Sequence, residues 1–356
     1  GKKVQAKFYK SVIRSQARLT YTLVRKVLVD KDPQERERLK NLLPVLQVME
    51  ELADVLQEER KLRGSIDFDL PEPEIVQGME EGKIENIIRA ERNKAHQMIE
   101  EFMIAANEAV ATFVSSRGVP MIYRIHDKPS AEKIRAFHEL LHHLGVPFRG
   151  SRRVTPGILA DLVRRVKGLP VERMVNTMLL RSMQKAIYDV NNVGHFGLAS
   201  TCYTHFTSPI RRYPDLLVHR VLEQVLLNQK NGLKLGRLKA MAEHCSNNER
   251  AAMKAEYAAR DYLSCLFMQE KKGEEFPGII NGVTKFGLFV ELIPYFVEGL
   301  VSVKKMKDDY YVFHEKQQTL IGRRTKKRLQ IGDPIQVRLA SVNLEKRWID
   351  FEPVTE

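Results

Sequence analysis

The chain has 356 residues and a formal net charge of +13, and its three cysteines lack the spacing of a metal site or a disulfide framework. A positive excess of this size indicates a polyanionic partner, with nucleic acid ahead of an anionic membrane surface. No apolar run is long enough to cross a bilayer and no secretory leader opens the sequence. We therefore expect a cytoplasmic protein with reduced thiols and no membrane contact.

The first seventy residues predict strand, helix and strand. Residues 4–13 alternate apolar and polar side chains, which is typical of a strand. A helix through Val29 follows, and residues 35–63 then carry one long helical period. Gly64 stands just past its end, where glycine is favoured. Residues 65–70 alternate again and predict a second strand.

The next strong helical pattern covers residues 94–114 and carries a polar stripe. His96, Glu100 and Asn107 share one face of it, at spacings of four and seven. A carboxylate on that face can accept a hydrogen bond from a ribose 2′-hydroxyl, the group that separates RNA from DNA. The alternative is that Glu100 is a surface carboxylate paired with a lysine. Further helices are predicted over residues 131–144, 156–166, 171–188 and 233–271.

Two prolines, Pro209 and Pro214, bracket a pair of arginines, Arg211 and Arg212. The prolines stiffen the turn, and an apolar helical pattern begins directly after it. An arginine suits a phosphate because its planar fork donates two parallel hydrogen bonds and stays charged. The alternative is that both arginines pair with carboxylates such as Asp215 and only hold the fold.

After residue 272 the pattern changes to short strands. Five of them within about eighty residues predict an OB-fold barrel. They cover residues 276–283, 285–292, 297–301, 334–342 and 348–351. Such barrels bind single strands by stacking bases on aromatic rings beside a cationic groove.

Between the third and fourth of these strands lies a basic run. It is either a solvated face, as such runs usually are, or a loop that contacts an RNA backbone. Its cationic residues are Arg323, Arg324, Lys326, Lys327 and Arg328.

Two motifs, HFGL at residues 195–198 and YTHFTSPIRRYPDL at 203–216, strongly resemble the ribonuclease II/ribonuclease R (RNB) family of 3′→5′ exoribonucleases. The match continues on both sides and favours the bacterial ribonuclease R type. It implies an α+β, helix-rich partial RNB catalytic domain followed by an all-β OB-fold S1 domain. The expected boundaries are 1–230 for the catalytic part, 231–272 for a helical connector and 273–356 for the S1 domain.

The resemblance also assigns roles to single residues. It makes Arg211 the catalytic arginine on the scissile phosphate, with Arg212 as a weaker RNA contact. It places Tyr21 and Glu100 around a ribose, with the neighbouring Glu101 as the alternative glutamate. Phe68 is expected to clamp the nucleotide stack, although core packing explains a lone phenylalanine equally well. The S1 rings expected to stack on bases are Phe276, Phe286 and Phe289.

In this family a cluster of aspartates binds Mg²⁺. The close aspartate pairs of this chain, Asp67/Asp69 and Asp308/Asp309, lack the required context. We therefore expect the Mg²⁺ ligands to lie upstream of this chain, together with the family's cold-shock domains, and assign no metal ligand within it.

The function that the resemblance implies is processive 3′→5′ hydrolysis of RNA to nucleoside 5′-monophosphates. The expected partner is the single-stranded 3′ end of RNA, and the expected state is a monomer. The chain would then be an inactive piece of the enzyme. The alternative is a non-catalytic RNA-binding module; a translation-associated S1 protein would leave the first 270 residues unexplained.

Overall fold

The computed structural model describes residues 5–67, 73–78, 84–150, 154–229 and 234–354. Helices dominate the first three quarters of these residues. Their bounds are α1 Tyr21–Leu28, α2 Pro33–Arg38, α3 Leu43–Arg63, α4 Lys94–Ser115, α5 Ala131–His143, α6 Pro156–Val166, α7 Glu172–Ser182, α8 Tyr213–Leu226 and α9 Leu235–Gln269. None of the helices in the described ranges has the length and apolar character needed to cross a membrane.

The helix starts follow from local capping. The Thr20 hydroxyl accepts the Leu23 N–H at 3.2 Å in front of α1, and the Asn93 carboxamide caps α4. The single helix predicted over residues 35–63 is corrected to two, because Pro44 lacks an N–H and its ring excludes a continuing helix before it. Pro44 instead stands in the first turn of α3.

The strand predicted over residues 4–13 is wrong for its described part. Residues 5–20 form no regular element, and Val12 and Ile13 are almost fully exposed. A strand needs a hydrogen-bonded neighbour, and within the described ranges none pairs with this segment. The second predicted strand, at 65–70, is irregular over 65–67, and its remainder lies outside the described residues.

Short strand pairs interrupt the helices. Strands β1 (Pro73–Gln77) and β2 (Ile84–Arg89) form an antiparallel pair that the sequence pattern did not predict. Strands β3 (Tyr123–Ile125) and β4 (Ile187–Asp189) form a second one. The β3–β4 pair packs against α9, so it ties the middle of the chain to its longest helix.

The described helices bury several local cores. Helices α1, α3 and α4 share a cluster around Val27, and α5, α6 and α7 share one around Leu162. Helices α4 and α8 meet β3 around Val110. The C-terminus of α3 approaches α6 closely: a Cβ on Gly64, which has a φ of +92°, would lie 2.6 Å from the Gly157 Cα.

A closed five-strand barrel follows α9 and confirms the predicted OB fold. Its strands are β5 Glu275–Thr284, β6 Gly287–Leu292, β7 Glu298–Ser302, β11 Pro334–Asn343 and β12 Trp348–Pro353. They are hydrogen-bonded in the order β11-β12-β7-β6-β5. A three-stranded sheet is inserted between β7 and β11, formed by β8 Tyr311–His314, β9 Thr319–Gly322 and β10 Arg328–Gln330.

The barrel is joined to the helical part by a shared core. Leu140 of α5, Met174 of α7 and Met268 of α9 belong to the same buried cluster as the barrel interior. The Arg173 guanidinium of α7 also binds the Glu291 carboxylate of β6 at 2.7 Å. The observed architecture is therefore α+β and helix-rich, followed by an all-β barrel, as predicted.

Candidate functional site

The arginine turn is held from inside by one carboxylate. Asp215, in the first turn of α8, is fully buried, and its Oδ1 accepts both the Ser208 N–H and an Arg212 guanidinium N–H at 2.8 Å. Its charge also suits the positive end of the helix dipole. Arg212 therefore forms an ion pair within the protein, which agrees for this arginine with the alternative that the pair binds carboxylates such as Asp215.

Arg211 has the opposite environment. Its side chain is exposed, and no residue in the described part of the chain forms an ion pair or hydrogen bond with its guanidinium. Ile210 beside it is fully exposed as well, so both side chains project from the tip of the turn. The anchored turn therefore presents one free guanidinium fork, the geometry suited to a phosphate.

Behind the turn lies a layer of histidine and tyrosine side chains. The Tyr188 hydroxyl and the His205 Nδ1 are 2.8 Å apart, and the Tyr203 ring makes edge contacts with His205 and His195. Burial first, and neighbouring cationic groups second, lower the pKa of His195 to about 3 and that of His205 to about 2. Both rings are therefore neutral at physiological pH.

An ion pair closes this layer on the side of α9. The Arg124 guanidinium lies 4.6 Å from the centre of the Tyr188 ring and binds the Glu249 carboxylate at 2.6 Å. The two partners lie 125 residues apart, a separation that helical spacing cannot reveal.

The predicted ribose-contacting residues line one cleft of about 1270 Å³. Tyr21 is half exposed there and stacks on the His96 ring with centres 4.0 Å apart. Glu100 borders the same cleft, and the Arg92 guanidinium donates to its Oε2 at 2.9 Å. The sequence had proposed a lysine as the alternative partner of Glu100, and an arginine takes that place.

The neighbouring glutamate has a different environment. Glu101 is almost fully buried and accepts three hydrogen bonds of 2.7–3.1 Å from the Arg60 guanidinium, which is buried too. Arg60 also donates to the Ser65 hydroxyl at 3.0 Å. Of the two glutamates, only Glu100 is placed to meet a ligand in the cleft.

Helix α4 connects the cleft with the arginine turn. The Asn107 carboxamide, two turns beyond Glu100, donates to the Tyr203 hydroxyl at 3.0 Å and accepts the Phe206 N–H at 2.9 Å. Seven residues of helix span roughly 10 Å. The residues that line the cleft and the layer behind Arg211 are therefore mounted on one rigid element.

Helix α7 connects the cleft with the barrel. Glu172 and Asn176 border the cleft, whereas Arg173 binds the barrel strand β6. The Asn176 side chain is buried, and its Oδ1 has no hydrogen-bond partner among the residues that the structure describes, so it is an unused acceptor at the cleft wall.

The three predicted stacking rings of the barrel differ in exposure. Phe286 is exposed at the β5–β6 turn and Phe289 is partly exposed on β6. The prediction that Phe276 stacks on a base is corrected, because its ring is buried in the barrel core against Tyr295. Along β5, Phe276 points inward together with Gly278 and Ile280. Phe276 in this conformation packs the core and offers no face to a base. Phe68 lies outside the described residues.

The basic run forms the β9–β10 loop of the inserted sheet. All of its cationic side chains are exposed, namely Arg323, Arg324, Lys326, Lys327 and Arg328. The Arg323 guanidinium lies 4.6 Å from the centre of the Tyr310 ring, which is itself exposed. Tyr311, in contrast, is buried and donates its hydroxyl to Asp308 at 2.8 Å.

Metal-ligating groups do not gather in the described residues. No group of three or more histidine, cysteine, aspartate or glutamate side chains there could hold a metal ion. Asp67 is instead paired with Arg92, and Asp309 accepts hydrogen bonds from backbone and hydroxyl donors. The residues in the described ranges therefore do not fit a Mg²⁺ centre, and no chemical step is assigned to one.

A helix-rich domain with a free arginine on an anchored turn, followed by an OB barrel with exposed rings and a cationic loop, is the arrangement typical of nucleic-acid-binding proteins. Two family models match the chain: the RNB domain over residues 1–228 and the S1 RNA binding domain over residues 269–352. The chain belongs to the RNB family.

Curated relatives agree with this assignment. Ribonuclease R of Aquifex aeolicus is 43% identical over 346 residues, which cover 97% of this chain and 49% of that protein. Ribonuclease R of Escherichia coli is 41% identical over 366 residues, covering 100% of this chain and 45% of that protein. The chain thus spans about half the length of the curated relatives that it matches.

Solved structures show the same fold. Mycoplasma genitalium RNase R in complex with ribose methylated single-stranded RNA superposes with a TM-score of 0.85 at 30% identity, covering 94% of this chain and 53% of that one. The same enzyme in complex with double-stranded RNA gives a TM-score of 0.78 at 28% identity, covering 94% and 54%.

Proposed function

We propose that the full-length protein carrying this chain is a 3′→5′ exoribonuclease of the ribonuclease R type. Its family, the names of its relatives and the RNA complexes of its structural neighbours support this proposal. The single observation that carries it is the exposed Arg211 on a turn anchored by the buried Asp215. That arrangement supplies a positioned donor pair for a phosphate while the neighbouring arginine holds the fold.

In the proposed mechanism the 3′ end of an RNA strand lies in the cleft. Tyr21 stacks on or beside a ribose, and the Glu100 carboxylate accepts the hydrogen bond of the 2′-hydroxyl. Phe68 contributes a stacking ring, as the family resemblance implies. Arg211 donates to the oxygens of the scissile phosphate and stabilises the negative charge that develops there, an effect worth about 10²–10³ in rate.

The proposal extends to processive release of nucleoside 5′-monophosphates by a monomer in the cytoplasm. RNB-type hydrolysis implies a divalent cation, for which Mg²⁺ is the proposed identity. Such a cation would activate water and offset phosphate charge. The roles assigned above to Arg211, Tyr21 and Glu100 do not depend on where that cation binds.

A second function is favoured by the barrel itself: RNA binding without turnover by this chain alone. The exposed Phe286 ring and the exposed loop of residues 323–328 are the two parts that an OB fold needs to hold a single strand. Arg212 and Phe276 contribute to this function only by stabilising the fold. Phe289 is proposed to stack on an RNA base.

The test uses a single-stranded RNA labelled in one preparation at its 5′ end and in another at its 3′ end. With Mg²⁺, a 3′→5′ exoribonuclease shortens the 5′-labelled RNA progressively and releases the 3′ label as a mononucleotide. Internal fragments from the full-length protein would refute the proposal. For the chain alone, a gel shift without shortening supports the binding function, and shortening refutes it.

A further inference from the structure

The β9–β10 loop is folded more tightly than its charge predicts. It carries five cationic side chains within the six residues 323–328. Blocks of like charge this dense repel themselves and usually lack fixed structure. Here the Gly322 N–H donates to the Lys327 carbonyl at 2.9 Å, and Lys326 holds a left-handed φ of +60°. Some other group must therefore offset the repulsion and fix the backbone.

That group is the Asp309 carboxylate, which precedes the inserted sheet. It accepts the Tyr310 N–H at 2.7 Å, the Arg324 N–H at 3.0 Å, and both the N–H and the hydroxyl of Thr325 at 2.6 Å. Successive backbone N–H groups around one anion form a nest. These bonds, led by that of the Thr325 hydroxyl, hold the pKa of Asp309 well below its usual range, so the carboxylate stays charged.

Neighbouring residues make room for the Asp309 carboxylate and bind it. A Cβ on Gly322 would lie 2.5 Å from the Asp309 Oδ2, so only glycine allows the approach. The Thr325 hydroxyl also accepts the Lys327 N–H at 3.2 Å, so the contacts of Asp309 also fix the backbone of the loop at Lys327. With the backbone turned inward on Asp309, the cationic residues stay exposed, although the Arg324 guanidinium donates to the Asp308 carbonyl at 3.0 Å and the Lys327 Nζ lies 4.0 Å from the Asp308 carboxylate.

We propose that Asp309 is a positioning residue that pre-forms a phosphate-binding loop from residues 323–328. The proposal rests on the proposed RNA-binding function of the barrel region and adds a consequence that net charge does not predict. An acidic residue strengthens the binding of a polyanion, because it orders the loop before RNA arrives. Without Asp309, that ordering has to occur on binding and reduces the affinity.

The first test is the affinity of Asp309→Ala for a single-stranded oligouridylate, measured by fluorescence anisotropy at fixed salt. The variant is one unit more positive, so charge alone predicts tighter binding. We expect binding to weaken by about threefold to tenfold. The matched control is Glu315→Gln, which removes the same charge from an exposed carboxylate in the same insertion. It is expected to bind equally well or slightly more tightly.

A charge-neutral variant makes the test independent of electrostatics. Thr325→Val removes the hydroxyl bridge between Asp309 and Lys327 and is expected to weaken binding in the same direction. Hydrogen exchange of the Arg324 and Thr325 amides is expected to accelerate in both variants. Far-UV circular dichroism reports whether the barrel remains folded.

The salt dependence of RNA affinity is a further measurement, and it would not change if Asp309 only stabilised the fold. A disordered loop engages fewer phosphates of the RNA. The slope of log K against log salt is therefore expected to decrease in Asp309→Ala, by about 0.7 for each phosphate that the loop no longer neutralises.

Replacing Arg323 and Lys326 together by alanine separates the two proposals. If this double variant leaves affinity unchanged, the loop does not bind RNA and the part of the proposed binding function that rests on it fails. If it weakens binding while Asp309→Ala and Thr325→Val do not, only the positioning role of Asp309 is overturned.

Discussion

The adjacent glutamates of α4 predict opposite outcomes for the same substitution. Glu101→Gln removes the charge that faces the buried Arg60, whose side chain is 7% exposed against 4% for Glu101. Glu100→Gln removes a charge at the cleft, where the side chain is 35% exposed and faces Arg92. Both changes keep the size of the side chain and lie on one helix, so each is the control for the other.

The magnitudes follow from burial. Removing the Glu101 charge breaks a buried, hydrogen-bonded ion pair and leaves Arg60 with only the more distant Glu100 carboxylate, at 3.8 Å. The loss is therefore expected to cost about 3 kcal/mol of unfolding free energy, the low end for such pairs. At about 2–4 °C for each kcal/mol, Glu101→Gln is expected to lower the Tm by on the order of 10 °C. The Glu100 pair is partly exposed and screened, so its loss costs about 1 kcal/mol or less.

Thermal unfolding followed by circular dichroism measures the first effect, and competition between RNA and DNA of equal sequence measures the second. Glu100→Gln combined with Tyr21→Ala is expected to reduce the preference for RNA by about tenfold or more, the value of one hydrogen bond to a charged group. Equal Tm values for the two single variants would refute the buried-pair assignment of Glu101. An unchanged preference for RNA would refute the ribose-contacting role of Glu100.

Three further predictions follow from the same contacts. Asp215→Asn is expected to destabilise the fold by about 2–4 kcal/mol in urea unfolding, because it leaves the mostly buried Arg212 without its countercharge. A free energy of unfolding within about 1 kcal/mol of the wild type would refute a stabilising role for the Asp215–Arg212 ion pair. His195 and His205 have lowered pKa values of about 3 and about 2, so the unfolded chain binds more protons below about pH 6.5. Stability is therefore complete above about pH 6.5 and is expected to fall by about 2–4 kcal/mol between about pH 7.5 and pH 5.0; a flat profile would contradict this. Phe286→Ala is expected to weaken RNA binding by about 1–3 kcal/mol at unchanged Tm, whereas Phe276→Ala is expected to unfold the barrel; the reverse pattern would contradict the two placements.

Much of the fold could be predicted because it is encoded locally. The barrel strands alternate clearly, and α4 has both a cap and a regular apolar stripe. The break before α3 is predictable too, since a proline such as Pro44 is tolerated in the first turn of a helix but not in its interior. The strand predicted over residues 4–13 was wrong, because alternating side chains form a strand only where a neighbouring strand is present to pair with it.

The site could be predicted only in part, because its partners are distant in sequence. Which of two adjacent arginines is free depends on the turn that lets Asp215 reach Arg212, and residue type alone does not reveal it. The pairing of Arg124 with Glu249 joins two separate elements. The inward direction of Phe276 depends on the register of β5 against β11, which the motif does not specify.

The most direct test of the central claim is the single-turnover rate of Arg211→Ala in the full-length protein with saturating RNA. Ile210→Ala is the matched control, because it alters the neighbouring exposed side chain at the tip of the same turn. We predict a rate lower by about 10²–10³ for Arg211→Ala, with RNA affinity close to wild type and the control unaffected. An unchanged rate for Arg211→Ala, or an equal loss in both variants, would contradict the catalytic role of this arginine.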